Sequence, residues 1–291
     1  MQTKEYDRAA QDLGNIVNLG HVNVCISDQQ IATHYYVTGL GLTRDPFLNT
    51  GAGNMWINVG MSQFHLPTGT PEILRGVIGL VVPDRQALLT RLSRARKALA
   101  DTKFEFRESN DCVETVCPWG NRIHVHTPDK ERFGRIQLRM PYVRFDVRPG
   151  TAPRIARFYR QVLGAPADVV KNGSGPEARV QVGEKQYLYF RETEAPERPY
   201  DRHHVQIYIA DFSGPHRRLK ELGLITGETG EYEYRFKDVI DLDSREVLFT
   251  VEHETRSQTN PMYGRPLVNR NPAQTNTDYR PGHDSLSWAL P

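Results

Sequence analysis

The chain has 291 residues, 38% of them hydrophobic, with 37 basic against 35 acidic side chains and a formal charge of +2. That length allows two domains with sizeable cores, and the balanced charge offers no footprint for nucleic acid or an anionic membrane surface. No run of about 18 apolar residues suggests a membrane span, the first residues lack the apolar stretch of a leader, and three cysteines (Cys25, Cys112, Cys117) are too few for a disulfide framework, so a reducing, cytoplasmic setting is expected.

In chain order, residues 1–18 are polar, with a short helix expected from Glu5 to Leu13. The stretch Leu19–Leu42, LGHVNVCISDQQIATHYYVTGLGL, reads as strand, turn, helix and glycine stop. Val22, Val24 and Ile26 alternate with His21, Asn23 and Cys25, the period of a half-buried strand. Ser27 and Asp28 are placed to cap the helix, and Gly39 and Gly41 end it. Strands follow at Leu42–Asp45, Asn54–Val59 and Gln63–Pro67. A second unit opens with RGVIGLVVPDRQA at Arg75, and its last strand is Arg122–His126 after the turn Pro118–Asn121. A third opens at Met140 with MPYVRFDVRPGTAPRIARFYRQVLGA, where IARFYRQVLG echoes IATHYYVTGLG of the first. A fourth opens at Arg202 with RHHVQIYIADFSGPHRRLKEL and closes at Glu246–His253.

His21, Val77, Tyr142 and His204 occupy corresponding positions, roughly sixty residues apart, a period too long for a solenoid. The expected fold class is α+β, with four βαβββ units paired into two domains, residues 19–128 and 140–254, and an irregular tail, 255–291. Met262, Tyr263 and Trp288 are among apolar side chains spread along that tail, which favours a segment wrapped over the body. Cys112 and Cys117, with no second pair nearby, argue against a structural zinc site.

Three stretches resemble the vicinal oxygen chelate superfamily, which includes glyoxalase I, type I extradiol dioxygenases and bleomycin-resistance proteins. LGHVNVCISD resembles its first strand, with a ligand histidine where His21 stands. GMSQFHLPTG resembles its fourth strand, with a ligand at His65. CPWGNRIHVH resembles the turn and strand closing the second unit, where the ligand position falls on His124. The resemblance covers about residues 19–254 and implies two cupped sheets, with metal bound by strands one and four of paired units. His21, His65 and His124 would then form one three-histidine site in the first domain, with His126, on the same strand face, as rival to His124. Three imidazoles suit Fe(II), Mn(II), Zn(II), Ni(II) or Co(II), which this reading does not distinguish.

In the second pair, the corresponding positions are Tyr142, roughly Leu188, His204 and Leu248, of which only His204 is a ligand type; Glu252 lies on the face of Leu248. No full metal site is expected there. Asn23, Gln63 and Trp56, and in the second domain Tyr142, Arg144, His204, Gln206, Tyr208 and Glu252, are expected to contact an organic ligand. The resemblance implies a metal-dependent enzyme acting on a small aromatic or vicinally oxygenated substrate, as an extradiol-type dioxygenase or a glyoxalase-type lyase or isomerase. The alternative is a metal-free binding protein resembling bleomycin-resistance proteins. The expected partners are a small molecule and, as an open alternative, further copies of the chain; nucleic acid and membrane are not expected. A lone strand histidine is most often a hydrogen-bonded structural residue, and His34, His203, His216 and His253 are read that way.

Overall fold

All four sequence repeats fold as a strand, a helix and three further strands in the computed structural model, which describes residues 6–47, 53–172 and 175–265. Unit one comprises β1 (Ile16–Asn23), α1 (Gln29–Ala32), β2 (Thr43–Arg44), β3 (Asn54–Val59) and β4 (Ser62–Pro67). Unit two comprises β5 (Gly76–Val81), α2 (Arg85–Ala95), β6 (Glu105–Glu108), β7 (Val113–Val116) and β8 (Arg122–His126), and a one-turn helix α3 (Lys130–Phe133) follows it. Unit three comprises β9 (Arg139–Val147), α4 (Ala152–Phe158), β10 (Ala167–Asn172), β11 (Gly175–Gly183) and β12 (Gln186–Glu192). Unit four comprises β13 (His204–Ile209), α5 (Ser213–Glu221), β14 (Ile225–Gly230), β15 (Glu233–Ile240) and β16 (Val247–Ser257).

Local chemistry sets these elements. Asp28 accepts from the Ile31 amide at 2.9 Å and Asp84 from the Ala87 amide at 2.8 Å, so both helices start on an acidic cap. On α2, Leu88, Leu92 and Ala95 recur at helical spacing and are buried. Helix α1 widens into a π-helical stretch, Thr33–Gly39, and α4 does so over Tyr159–Leu163. The extra residue per turn lets two consecutive aromatics face the core, Tyr35 with Tyr36 and Phe158 with Tyr159, all fully buried. The echo between the two helix sequences is thus an echo of backbone geometry.

Among the described residues the strands form two eight-stranded sheets, ordered β14-β15-β16-β13-β1-β4-β3-β2 and β10-β11-β12-β9-β5-β8-β7-β6. Unit one therefore shares a sheet with unit four, and unit two with unit three. This corrects the expected split into 19–128 and 140–254. The chain turns back soon after β8, and β9 lies antiparallel on β5, with Val77 opposite Arg144 and Gly79 opposite Tyr142. That fills the edge unit one would have needed. β13 returns to β1, with His21 opposite Gln206 and Asn23 opposite His204. All four first strands carry the same alternating pattern, so either pairing buries the same apolar faces. We call the sheet of units one and four the outer cup and the other the inner cup.

The cups meet at Gln186, a fully buried side chain on β12. Its carbonyl oxygen accepts from the Leu19 amide at 3.1 Å, and its amide nitrogen donates to the Met140 carbonyl at 2.8 Å. Close by, Gly60 turns β3 into β4 at a φ of 60° where a Cβ would run into the Leu138 carbonyl. Gln186→Leu keeps the volume but strips partners from buried backbone groups, and should lower stability by about 2–4 kcal/mol. A urea midpoint equal to that of the parent protein would refute this role for Gln186.

The expected N-terminal helix is, in its described part, one 3-10 turn, Ala9–Gln11. The tail begins later than expected, because Thr255–Ser257 continue β16. Residues 258–265 then cross the outer cup, and the tail's apolar residues from Leu267 to Trp288 lie outside the described residues. No described helix is long and apolar enough to cross a membrane.

Candidate metal centre

The four central strands of the outer cup, β16, β13, β1 and β4, each present one ligand-type side chain on the polar face. An irregularity between Leu19 and His21 in β1, where the register against β13 shifts, leaves Leu19 in the core and turns His21 into the cup. His65 lies on β4 opposite Asn23, and His204 on β13 opposite Asn23 from the other side. Glu254 lies on β16 opposite Gln206. One ring nitrogen from each of His21, His65 and His204 falls within 4.8 Å of the others. The carboxylate oxygen Oε2 of Glu254 stands 3.8 Å from His21 Nε2 and 3.4 Å from His204 Nε2.

The electrostatics keep these groups in ligand form. Burial pushes His21 well below the ordinary imidazole range, and burial with the neighbouring His204 lowers His65 to about 3. Both rings are therefore neutral. Burial alone would raise the Glu254 carboxyl, but His21, His204, Arg256 and Arg235 outweigh it and hold the group well below the carboxylate range. Arg235 donates to Glu254 at 2.5 Å and to Glu252 at 2.7 Å, while Arg256 pairs with the other oxygen of Glu254. Nε2 of His21, His65 and His204 has no hydrogen-bond partner of normal geometry, although all three atoms are buried. Buried ring nitrogens without hydrogen-bond partners beside an ionised carboxylate are what a borderline divalent ion takes, so the residues present fit a metal.

Trp56 stacks on His65, with ring centroids 4.0 Å apart, and meets His21 edge-on. Across the mouth, residues 258–265 form a strap. Arg265 makes a buried ion pair with Asp45, which also accepts from Gln63 at 2.7 Å, and Tyr263 packs on Tyr208 at 4.8 Å. Under the strap lies a small cavity of about 80 Å³, bordered by Gln63, Gln206 and Tyr208.

Solved structures share this arrangement of strands. A candidate dioxygenase from Bacillus subtilis superposes with a TM-score of 0.56 at 12% identity, over 90% of this chain and 89% of that one. Glyoxalase I from Zea mays superposes with a TM-score of 0.54 at 15% identity, over 83% of this chain and 92% of that one. The chain therefore has the fold that these two structures share. No family sequence model and no curated protein sequence matches the chain.

Within this fold, the register relates the two cups position by position. Gly79 lies opposite His124, and Arg144 opposite Tyr189. The inner-cup equivalents of His21, His65, His204 and Glu254 are therefore Val77, His124, Tyr142 and Tyr189. One imidazole, two neutral phenols and a valine do not make the same site; burial lifts both phenols, Tyr142 well above the ordinary phenol range and Tyr189 to about 12.

Of the expected triad, the structure brings two residues together. His21 and His65 converge, with ring centroids 5.5 Å apart. His124 and His126 do not join them: both border a cavity of about 400 Å³ in the inner cup, and the Nε2 atom of His126 lies 2.9 Å from the Tyr142 hydroxyl. Their place is taken by His204, which had been assigned to another domain. Of the expected contact residues, Asn23, Gln63, Trp56, Gln206, Tyr208 and Glu252 lie in the outer cup, whereas Tyr142 and Arg144 border the inner cavity. Tyr142 lies in the other sheet from His204 and Glu252.

The carboxylate ligand-type residue was missed. Leu248 was taken as the corresponding position, but β16 runs eleven residues and its partner β15 is irregular at Phe236/Asp238, so counting from the preceding turn fails. The alternation Glu252-His-Glu254 was the available signal, and the parallel register of β13 with β16 selects Glu254 for the ligand position. Leu188 was one residue from Tyr189. Three further histidines are structural: buried His253 stacks on Phe236 at 4.3 Å, His203 pairs with Asp201 at 2.6 Å, and His216 pairs with Glu228 at 2.7 Å.

Proposed function

We propose that the protein is a metal-dependent enzyme of the vicinal oxygen chelate type, acting on a small substrate with two neighbouring oxygens. The observation that carries this reading is the set of three imidazoles that each bring one ring nitrogen within 4.8 Å of the others beside Glu254, each ring with a buried nitrogen lacking a hydrogen-bond partner. Each unpaired buried polar atom costs about 1–3 kcal/mol, and a metal-free binding protein would bear that cost three times over. His21, His65, His204 and Glu254 would hold the ion, with Fe(II), Mn(II), Zn(II), Ni(II) and Co(II) all compatible with these donors. When bound, such an ion supplies Lewis acidity toward substrate oxygens.

The chain's own residues supply the rest. Glu252, oriented by Arg235 and 3.7 Å from His204 Nδ1, is the carboxylate placed to accept a substrate proton. Buried Asn23 Oδ1 and Gln206 Nε2 have no hydrogen-bond partner and are available to fix substrate polar groups. Trp56 gives a flat apolar wall. Two reaction classes fit, glyoxalase-type proton transfer and oxidative ring cleavage.

The test is to reload metal-stripped protein with each ion separately and run two assays. One follows oxygen uptake with catechols; the other follows deuterium exchange from solvent at the carbon beside the carbonyl of α-hydroxyketones. Turnover is expected in one of them, abolished in His65→Ala and lowered about 100-fold or more in Glu252→Gln. A metal-loaded protein inert in both assays, or turnover unchanged in His65→Ala, would overturn the enzyme reading.

A further inference from the structure

The inner cup carries a second cluster of ligand-type side chains, away from the four positions that correspond to the outer site. Val113 pairs with Val125, so the turn between β6 and β7 brings Asp111 and Cys112 beside His126 at the end of β8. One ligand atom from each of these three residues lies within 4.8 Å of the other two. His126 Nδ1 stands 3.7 Å from Asp111 Oδ2, close to the edge of a tetrahedral shell with bonds of about 2.0–2.2 Å. The turn is pinned, since the Ser109 hydroxyl donates to the Cys112 carbonyl at 2.9 Å and accepts from the Cys112 amide at 3.2 Å.

Each donor also has a neighbour that orients it. His126 Nε2 meets the Tyr142 hydroxyl at 2.9 Å, and the Asp111 carboxylate pairs with the Arg132 guanidinium. Such outer contacts fix ring orientation and tautomer at metal sites. Cys112 and His126 are buried, yet all three residues border the cavity of about 400 Å³, so an ion can reach them.

We propose that Asp111, Cys112 and His126 form a second divalent-metal site, of the zinc class, in the inner cup. Mixed sulfur, nitrogen and oxygen donors select borderline ions over magnesium or calcium. Binding releases one proton, from the Cys112 thiol, and the resulting thiolate with the Asp111 carboxylate balances the ion's double charge. In the metal-free structure Nδ1 is placed to donate to the Asp111 carbonyl at 3.3 Å, with Nε2 accepting from the Tyr142 hydroxyl at 2.9 Å. Metal binding would move the ring hydrogen to Nε2, which then donates to the Tyr142 oxygen and frees the Nδ1 lone pair for the ion. A fourth position opens on the cavity toward Tyr142 and Arg144, so the ion can take an exchangeable ligand, unlike a closed structural zinc.

Cobalt(II) titration of the untagged full-length apoprotein tests this, because only a cysteine-bound cobalt gives a thiolate-to-metal charge-transfer band. The expected result is two equivalents bound, with the band present. Cys112→Ser should lose the band and one equivalent; His65→Ala should lose the other equivalent and keep the band. Asp111→Asn, at an exposed position that leaves the core intact, should weaken the band-forming site tenfold or more, and so covers the case in which Cys112→Ser does not fold. No band at saturating cobalt, or a band that survives Cys112→Ser or is unaffected by Asp111→Asn, overturns the proposal whatever the outer cup binds.

Discussion

Alanine at His21, His65 or His204 is expected to lower the affinity of the outer cup for a divalent ion by at least 100-fold, about 2.8 kcal/mol. Loss of an outer-shell partner at metal sites typically costs 10- to 100-fold, and loss of a donor removes a bond outright. The three rings come from three strands and face one point, with ring centroids 5.5 to 6.5 Å apart. His124→Ala is expected to leave this site untouched, because β8 belongs to the other sheet. Metal content after competition with a chelator separates the cases. Retention in His204→Ala together with loss in His124→Ala would restore the pairing of units one and two and refute the sheet order.

Acid is expected to destabilise the metal-free protein well before its carboxylates titrate. Burial lowers His65 and His253 each to about 3, whereas in the unfolded chain both titrate near 6.5. Nε2 of His253 accepts from the Tyr159 hydroxyl at 2.6 Å, which also favours the neutral ring, while Nδ1 donates to the Val251 carbonyl at 2.8 Å, a contact that burial outweighs. Below pH 6.5 the unfolded chain binds protons that the folded chain excludes. The stability these rings confer is complete above that pH and is lost as pH falls toward 3. By pH 5 the two rings together remove up to about 4 kcal/mol, a large share of the 5–15 kcal/mol typical of a folded domain. Urea midpoints of chelator-treated protein at pH 7, 6 and 5 check this, and a flat series would refute it. Bound metal should move the loss to lower pH, because protons must then displace the ion before charging His65.

The repeats, the strand faces and two of the four outer-cup donors were legible because they are local. Alternation places His21 and His65 on polar faces whichever sheet they join. The partner of each unit was not legible, since β1 and β5 carry the same apolar pattern and either accepts either neighbour. That single ambiguity sent His124 to the wrong cup and left His204 without companions. Glu254 was hidden by the length of β16, and Arg235, Arg256 and the Asp45–Arg265 pair gave no sequence signal, because each depends on strand pairings between distant segments.

The nesting of unit one with unit four around units two and three also sets an order of assembly during synthesis. The inner cup is complete once the chain has emerged to β12, whereas His21 and His65 wait for β13 and β16 before they gain His204 and Glu254. Loop closure over most of the chain length precedes the outer sheet, which marks it as the late, slow step of folding. Until then two neutral imidazoles and an unfilled strand edge at β1 are exposed on the ribosome. Any metal capture by the complete outer cup would therefore follow the emergence of unit four, whereas the inner cup is complete before it.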